Sequence, residues 1–428
     1  MKFFREIDVL IIFEHISREL ETCFYMKLEL EKLELSCELA PLHFNRYVTN
    51  IRFKPRIVVL PFLNSKDDFT LQKIRDIYGE DVIALNLHHE QLYNESTKKF
   101  MLPKDSYSRE TYHLAWTESF YSDLIVAGAK PEKIKVLCNP RFDSFWLDSG
   151  ERFSLSESYE EVIFFPTTFA WAFVSEDYFL SLGHISKDRF YRMKEITDKA
   201  AQAYFNDIKK LADSFPEKLF LVRPHPYEDI NYFHNKFLEY SGLAVLPENI
   251  KIERCGNVYD WIKIASVVIG WCTTTNMEAA MCKKCSVVYH PTYYPADMNL
   301  SFFKDFDIVN KYEELVDIVS GLKRKLLPDD TLSKFSKLYG FPLSPVCPNI
   351  ARWIRDILLT HNNSDEQFNG KNYLVNIIYV IFKDIPKYLL IKLKLMHIFN
   401  KNYSGLYEDC VTYGWINKKY KQFKNKNG

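Results

Sequence analysis

Short apolar runs alternate along the chain with stretches of helical spacing. In the first part of the chain, the apolar runs predict buried strands at residues 7–13, 55–62, 81–87 and 133–139. Helical patterns lie between them, at residues 17–33 with Ser17 as the predicted N-cap, and at residues 68–79. Apolar strands separated by helices are typical of parallel β-α units with both faces of the sheet covered. The pattern therefore predicts an α/β fold.

The same alternation starts again after a polar interruption at residues 151–161. Apolar runs follow at residues 161–166, 218–224, 265–271 and 285–291, with a long helical pattern near residues 189–213. After about residue 345 the pattern changes to apolar segments with lysines threaded through them. We expect three parts: a Rossmann-like domain over residues 1–150, a second over 158–345, and a helical segment with a basic, frayed tail over 346–428.

Composition narrows the class of protein. Hydrophobic residues make up 47% and charged residues 26% of the 428 positions, which is ordinary for folded domains and argues against disorder. Lysine plus arginine and aspartate plus glutamate both number 56, so a chain-wide basic field for nucleic acid is excluded. Nine scattered cysteines, an odd number, indicate reduced thiols in the cytoplasm.

Several common signals are weak or missing in the sequence. Cys282 and Cys285 form a single CxxC without a second pair, so no metal and no cofactor is predicted. The first apolar run contains Asp8 and leads into Glu14, which favours a strand over a signal peptide. The sequence has no uncharged apolar stretch of about 18 residues, which predicts no membrane-spanning helix. Dinucleotide, P-loop, hydrolase and zincin motifs are absent.

The sharpest candidate site follows the predicted strand at residues 218–224. Its loop carries Arg223, His225 and Glu228, with Pro224 and Pro226 stiffening the backbone. A guanidinium fork and an imidazole on a rigid loop suit a phosphate group. The alternative is a solvated strand end whose histidine caps a turn.

A second candidate follows the predicted strand at residues 265–271. Thr273, Thr274 and Thr275 open a helix that contains Glu278. Hydroxyls and free N–H groups at a helix start can bind an anion, and the carboxylate can accept the two hydroxyls of a ribose. The alternative is an ordinary threonine cap with a glutamate in the first turn. Because both loops follow strands of the same half, we expect them to converge on one nucleotide.

The first half offers further polar groups at predicted strand ends. They are Glu14, His15, Arg18 and Glu19 after the first strand, His88, His89 and Glu90 in LNLHHEQ, and Asn139 and Arg141 in CNPRFDSF. An acid beside imidazoles at a strand end can do acid–base or nucleophilic work. A polar loop with a core histidine, or a charged helix start, explains the same residues without any site.

Five segments resemble a known family. LNLHHEQ, CNPRFD, EVIFFPTTFAW, LVRPHPYED and GWCTTTNMEAAM occur in the order seen in bacterial surface-carbohydrate biosynthesis proteins. These are GT-B glycosyltransferases, which include capsule and lipopolysaccharide Kdo transferases that use CMP-sugars. The HP element is also similar to that of GT-B sialyltransferases and teichoic-acid polyol-phosphate transferases. The resemblance covers roughly residues 5–345, and TTFAW departs from the amide-rich strand end expected there.

The resemblance implies a GT-B fold, with two Rossmann-like domains facing a cleft. It also implies transfer of a Kdo-like or other ulosonic acid from a nucleotide-sugar, preferably CMP-linked, to a surface-polysaccharide or lipid-linked acceptor. The expected catalytic residues are Glu90, His225 and Glu14, and the expected acceptor-binding residues are His15, Arg18 and His89. The expected donor-binding residues are Arg223, His225, Thr273, Thr274, Thr275, Glu278, Asn139 and Arg141.

Other functions stay open at this point. A CDP-polyol-dependent polyol-phosphate transferase would use the same HP loop. A nucleotide-sugar epimerase shares the fold and works without an acceptor. A non-catalytic assembly component would bind no nucleotide.

The apolar segment at residues 371–401, which contains several lysines, predicts where the protein lies in the cell. Its lysines, Lys383, Lys387, Lys392 and Lys394, suit an anionic membrane surface, and Pro386 predicts two short interfacial helices instead of one spanning helix. We therefore expect a cytoplasmic protein at the inner face of a bacterial membrane, with a glycan or glycolipid partner and no nucleic acid. Alternatively, the segment braces the domains.

Overall fold

The computed structural model describes residues 4–42, 51–65, 69–89, 91, 101–147, 159–176, 179, 186–225, 228–254, 256–298, 302–361, 368–393 and 411–428. By its internal contacts the chain divides into two compact units. Unit 1 comprises Met1–Ser149 and Ser336–Gly428, and unit 2 comprises Gly150–Phe335.

The strands, in chain order, are β1 (Arg5–Phe13), β2 (Cys37–Pro41), β3 (Phe53–Leu60), β4 (Ile83–Asn86), β5 (Tyr112–Ala115), β6 (Ile134–Val136), β7 (Glu161–Pro166), β8 (Lys218–Arg223), β9 (Ile250–Ile252), β10 (Val267–Gly270), β11 (Cys285–Tyr289) and β12 (Ile308–Val309). The helices are α1 (Glu21–Lys32), α2 (Phe69–Tyr78), α3 (Ser106–Arg109), α4 (Glu118–Val126), α5 (Ala170–Phe173), α6 (Lys187–Ser214), α7 (Ile230–Ser241), α8 (Val258–Ile264), α9 (Thr275–Met281), α10 (Tyr312–Val319), α11 (Asp329–Tyr339), α12 (Cys347–Thr360), α13 (Gly370–Tyr379), α14 (Ile385–Lys392) and α15 (Tyr413–Asn427).

Unit 1 is built on a parallel sheet with the strand order β2-β1-β3-β4-β5-β6. The central strand β1 is buried on both faces. Val9, Ile11 and Phe13 pack in a core with α1, α12 and α15, whereas Leu10 and Ile12 pack in a second core with α2. Burial on both faces explains why β1 is a nearly continuous apolar run without alternation.

Unit 2 repeats the plan with a parallel sheet in the order β12-β11-β10-β7-β8-β9. The long helix α6 packs Tyr204 and Phe205 against a core that contains Phe165 and Trp271. The Tyr204 hydroxyl donates to the carbonyl of Ile269 over 2.6 Å, which satisfies its polar atom inside the core. The predicted α/β class with two Rossmann-like parallel sheets is confirmed.

Four strands were not predicted: β2, β5, β9 and β12. They are two to five residues long, and three of them carry Glu38, His113 or Lys251 within the strand. Such short segments contain too few apolar positions to show a period in the sequence.

The basic C-terminal end is a helix, so the expectation of a frayed tail is wrong. Tyr420 and Phe423 of α15 are buried, and their rings lie 5.5 and 5.6 Å from the ring of Phe24 in α1. The Tyr420 hydroxyl and the Lys424 ammonium each donate to Glu31 over 2.7 Å. Apolar residues spaced three and four apart give this lysine-rich segment a side that packs against α1.

The predicted break near Pro386 takes the form of a widened turn. A π-helical turn at Val380–Asp384 joins α13 to α14, immediately before the proline. A proline ring clashes with the carbonyl four residues earlier, and a wider turn relieves that clash. Within the residues that the structure describes, no helix has the length and apolar character needed to span a membrane.

A buried carboxylate fixes the C-terminal part of unit 1 to its N-terminal part. Asp143 is fully buried, and its oxygens accept the backbone N–H groups of Val346 (2.8 Å) and Cys347 (2.7 Å). The carboxylate therefore caps the start of α12 although it lies 203 positions earlier in the chain than Val346. Burial raises the pKa of Asp143 to about 6, and the two N–H groups oppose that rise.

We predict that Asp143→Ala lowers the free energy of unfolding by about 2–4 kcal/mol, because it removes a helix cap and leaves two buried N–H groups without an acceptor. Asp143→Asn keeps one acceptor oxygen and should cost less. Urea unfolding followed by circular dichroism measures both. Asp356→Ala, which removes an exposed carboxylate of α12, is the control. Equal stability of Asp143→Ala and wild type would contradict the capping role.

Candidate functional site

Each sheet reverses its direction of strand addition at one point. In unit 1 the reversal lies between β1 and β3, and in unit 2 it lies between β7 and β10. In open parallel sheets, ligands bind outside the carboxyl ends of the strands at such a point. The loops that follow these strands are therefore where each unit is able to hold a ligand.

The loop after β8 lies beside the reversal point of unit 2, because β8 pairs with β7. The Thr167 N–H, just after β7, donates to the carbonyl of Arg223 over 2.9 Å. The Arg223 side chain is 8% exposed, and its guanidinium donates to the carbonyl of Gly256 over 2.9 Å. Arg223 therefore ties its own loop to the segment before α8.

Glu228 fixes the backbone of this loop from inside the unit. It is 1% exposed, and its carboxylate accepts the backbone N–H of His225 over 2.7 Å. Arg254 in turn donates to the backbone carbonyl of Glu228 over 2.8 Å. Burial raises the pKa of Glu228 to about 7, whereas the N–H groups of His225 and Phe169 and the Thr167 hydroxyl oppose the rise. The sequence analysis gave Glu228 no role, and Pro226 lies outside the described residues.

The three threonines after β10 lie on the other side of β7. Thr273 Oγ1 accepts the N–H of Thr275 over 3.2 Å and donates to the Thr275 hydroxyl over 3.1 Å. The two hydroxyls thus hold each other at the start of α9, with Thr274 between them. Glu278, one turn further along, is 7% exposed. The structure confirms a hydroxyl-bearing loop at a strand end and leaves its ligand open to proposal.

Two further residues shape this loop: Gly270, which the sequence shows at the end of a predicted strand, and Asn276, which the sequence analysis missed. A Cβ atom on Gly270 would lie 2.1 Å from Asn276 Oδ1 and 2.5 Å from Thr273 Cγ2, so only glycine fits there. The Asn276 amide donates to the carbonyl of Val287 (2.8 Å) and the hydroxyl of Ser286 (3.0 Å), which anchors α9 to β11. A glycine that ends a buried strand was the available signal.

His290 is a further missed residue, at the end of β11. It is buried, and its ring stacks on Tyr294 with 3.8 Å between centroids. Burial lowers its pKa to about 4, so the imidazole is neutral at physiological pH. Its Nε2 lies 3.1 Å from the carbonyl of Trp271, which makes Nε2 the protonated nitrogen.

In unit 1 the structure brings three titratable side chains together at the reversal point. His89, after β4, has Nε2 3.3 Å from a Glu14 oxygen and Nδ1 3.7 Å from a Glu19 oxygen. The Glu14 N–H donates to the other oxygen of Glu19 over 2.7 Å, which fixes that carboxylate. His15 lies at the edge of this group, 3.7 Å from Glu14. Glu19 was seen in the sequence but not counted among the site residues.

A small cavity of about 20 Å³ adjoins this cluster. Its lining includes Glu19, Thr22, His89, Asn139 and Arg141. Asn139 and Arg141, predicted to contact the donor, thus lie beside His89, predicted to contact the acceptor. Asn139 Oδ1 accepts the Arg141 N–H over 3.0 Å, so its side chain also caps the turn after β6.

The neighbouring histidines after β4 have different environments. His88 is a core residue, because its Nε2 lies 2.9 Å from His113 Nδ1 and its ring stacks on that of His113. Burial, the neighbouring His113 and the neighbouring His89 lower the pKa of His88. The alternative of a core histidine thus describes His88, whereas His89, which is also buried, lies beside two carboxylates. Glu90 and the side chain of Arg18 lie outside the described part of the chain.

Comparisons with known proteins bear on the fold. No protein-family model matches the chain, and no curated protein matches it. Among solved structures, one similar chain is a protein from Listeria monocytogenes that is assigned as a UDP-N-acetylglucosamine 2-epimerase. The two chains are 13% identical, the similarity covers 85% of this chain and 100% of that chain, and the TM-score is 0.50. Another is S. aureus MnaA in a co-structure with UDP, with 12% identity, coverage of 84% and 100%, and a TM-score of 0.51. At this identity the similarity shows a shared GT-B-like fold.

These comparisons contradict the main function predicted from the sequence. Transfer of a CMP-linked sugar to an acceptor finds no support in them. One of the similar chains is assigned as a nucleotide-sugar epimerase, the reaction that the sequence analysis left as an alternative. The glycosyltransferase prediction is therefore wrong, whereas the predicted fold class is confirmed.

The raised pKa of Glu228 predicts a pH dependence of stability. Between about pH 4.5 and 7 the folded chain keeps this proton and the unfolded chain loses it, so the contribution of Glu228 to stability falls as pH rises. From pH 4.5 to 7, the free energy of unfolding of wild type should fall by at most about 3 kcal/mol relative to that of Glu228→Gln, because each unit of pKa shift corresponds to about 1.4 kcal/mol.

Urea unfolding of both proteins across this pH range measures the difference, and other titrating groups cancel in the comparison. Glu239→Gln, which alters an exposed carboxylate of α7, is the control and should run parallel to wild type. If Glu228→Gln also runs parallel to wild type, the pKa of Glu228 is not raised.

Proposed function

We propose that this protein is a nucleotide-sugar epimerase that binds the nucleotide at the carboxyl ends of the unit 2 strands. The observation that carries the proposal is the loop after β8, in which the buried Glu228 fixes His225 beside the reversal point of the sheet. A UDP-linked N-acetylhexosamine is the first substrate to test, because a similar solved chain is assigned as a UDP-N-acetylglucosamine 2-epimerase and another was solved with UDP.

Two groups on either side of β7 suit a diphosphate. On one side, His225 can donate a hydrogen bond or a proton to a phosphate oxygen. On the other, the hydroxyls of Thr273 and Thr275 now bond each other and can turn to a phosphate oxygen instead. Hydrogen bonds to an ionised acceptor are roughly twice as strong as neutral ones, so this exchange is favourable.

The reaction class follows from the number of substrates. An epimerase works on one substrate, with no acceptor. For inversion at C2 of a UDP-N-acetylhexosamine, loss of the C2 proton leaves an electron pair that can form a C1–C2 double bond as the nucleotide phosphate leaves C1, and the reverse addition returns the phosphate to C1 and a proton to the other face of C2. Proton exchange with water therefore marks this reaction and distinguishes it from sugar transfer. We propose that His225 serves the reaction by donating a hydrogen bond or a proton to a nucleotide phosphate oxygen.

We predict that the protein converts UDP-N-acetylglucosamine alone, in D₂O, into its C2 epimer with deuterium at the inverted carbon. His225→Ala should lower turnover by roughly 100-fold, the usual size of a lost acid–base contact. Proton NMR follows epimer and deuterium together. His234→Ala, which changes a histidine on the following helix α7, is the matched control and should keep wild-type turnover.

Two results would contradict this proposal. If wild type returns UDP-, CDP-, GDP- and CMP-sugars unchanged and undeuterated, the protein is not an epimerase of these compounds. If His225→Ala epimerises within a few-fold of wild type, the phosphate site lies elsewhere.

We also propose that α13 and α14 rest on an anionic membrane surface. Apolar side chains spaced three and four residues apart are exposed along these helices, the turn that joins them and the residue that follows them. The largest exposed fractions are 58% for Leu374 in α13, 78% for Phe382 in the turn and 66% for Leu393 after α14. Lys371 and Lys392 accompany them. Each basic residue near an anionic surface adds about 1 kcal/mol, and buried apolar area adds to this. The side chains of Lys383 and Lys394 lie outside the described residues.

We predict that wild type floats with phosphatidylserine vesicles in a density gradient and is released as salt rises, since a Debye length of about 10 Å at 0.1 M screens surface charges. Phe382→Ser with Leu389→Ser should abolish flotation. Leu343→Ser, an exposed leucine outside these helices, is the control. The proposal is wrong if wild type does not float at low salt. It is also wrong if the double variant still floats and differs from wild type only in its oligomeric state.

A further inference from the structure

The cluster at the end of β1 places one imidazole close to two carboxylates. His89 lies between Glu14 and Glu19 at nitrogen–oxygen distances of 3.3 and 3.7 Å. Charge-assisted hydrogen bonds between nitrogen and carboxylate oxygen are about 2.7–2.9 Å long. Both distances exceed that range, so the imidazole is near two carboxylates without being tightly bonded to either.

The spacing instead resembles that of ligand atoms around a metal ion. One ligand atom each from Glu14, Glu19 and His89 can be chosen so that all three lie within 4.8 Å of one another. Two ligands bound to the same ion at about 2.1 Å lie about 3.0–3.4 Å apart, so side-chain shifts of roughly 1 Å would bring the three around one ion.

A second observation points to a ligand at this place. The Thr22 side chain is buried, and its hydroxyl has no hydrogen-bond partner among the described residues. The Nδ1 atom of the buried His89 also has none in that part of the chain. Thr22, Glu19 and His89 line the same cavity, whose 20 Å³ suits one ion or one water molecule. Buried polar atoms left unsatisfied cost free energy, and a bound ion with its water would satisfy them.

Charge also favours a cation. Two carboxylates close together in a largely buried site repel each other and lose hydration, which is costly unless positive charge compensates them. Arg141 lines the same cavity and can supply part of this charge, and a divalent ion would supply more.

We propose that Glu14, Glu19 and His89 form a binding site for a divalent metal ion, with the Thr22 hydroxyl bonded to a water molecule of that ion. Two carboxylates and one imidazole suit ions of the Mn²⁺ or Zn²⁺ type and leave further positions open. The sequence analysis predicted no metal, because it searched for cysteine spacing and these ligands come from two distant loops. The site goes beyond the proposed epimerase function.

The test titrates the metal-free, full-length protein with Mn²⁺ and counts free ion by electron paramagnetic resonance. Mn²⁺ is the probe because it prefers carboxylate and water ligands, and the cysteines of this chain would also take Zn²⁺. We expect wild type to bind one Mn²⁺ per chain. Glu19→Gln and His89→Gln should each weaken binding at least tenfold, whereas Glu29→Gln, a carboxylate change elsewhere on α1, should not.

Thr22→Val is a second variant, which tests the site even if the substitutions of Glu19 and His89 disturb folding. Removing an unpartnered buried hydroxyl at constant volume should leave the melting temperature of the metal-free protein unchanged or raised, yet weaken Mn²⁺ binding. Absence of stoichiometric binding by wild type would overturn the proposal. So would equal affinity of wild type, Glu19→Gln and His89→Gln. The readout is binding alone, so either result is independent of whether the protein epimerises a nucleotide sugar.

Discussion

Burial of the parallel strands on both faces is the constraint on which the rest of this structure depends. β1 places Val9 and Leu10 in two different cores, and β7 and β10 are buried along nearly their whole length. A polar side chain within such a strand loses its hydration and needs a partner inside the core, as His113 of β5 has in His88. The candidate site residues therefore lie in the loops after the strands, and the strand order decides which loops are neighbours.

Both units hold these loops by the same device, a buried carboxylate that accepts backbone N–H groups. Asp143 holds the start of α12 in unit 1, and Glu228 holds the loop of His225 in unit 2. Burial raises the pKa of Asp143 to about 6 and that of Glu228 to about 7. The free energy lost in desolvating each carboxylate is partly offset by its hydrogen bonds, and the loop gains a fixed backbone.

The sequence predicted what depends on local pattern and missed what depends on distant contacts. The long apolar strands and α6 show their period directly, whereas β9 and β12 are too short to show one. Arg223, His225 and the threonines belong to compact motifs after strands. Asn276 was missed because its amide binds β11, ten positions away. Thr22 was missed because it meets His89 only through the order of strands in the sheet.

The same distinction explains why the fold was predicted correctly and the reaction was not. The motifs that resemble glycosyltransferases in unit 2, around His225 and Thr273, carry groups that suit a nucleotide diphosphate, and both a transferase and an epimerase need those groups. The two reactions differ in what else they require: a transferase recognises a second sugar, and an epimerase moves a proton.

The cluster in unit 1 supplies groups of the second kind. Glu14, Glu19 and His89 lie together at the reversal point of their sheet, and a carboxylate or an imidazole can hold and move a proton. The same three side chains can also bind a metal ion. What they hold therefore decides what unit 1 contributes, and proton exchange at the substrate and binding of Mn²⁺ report on these two roles separately.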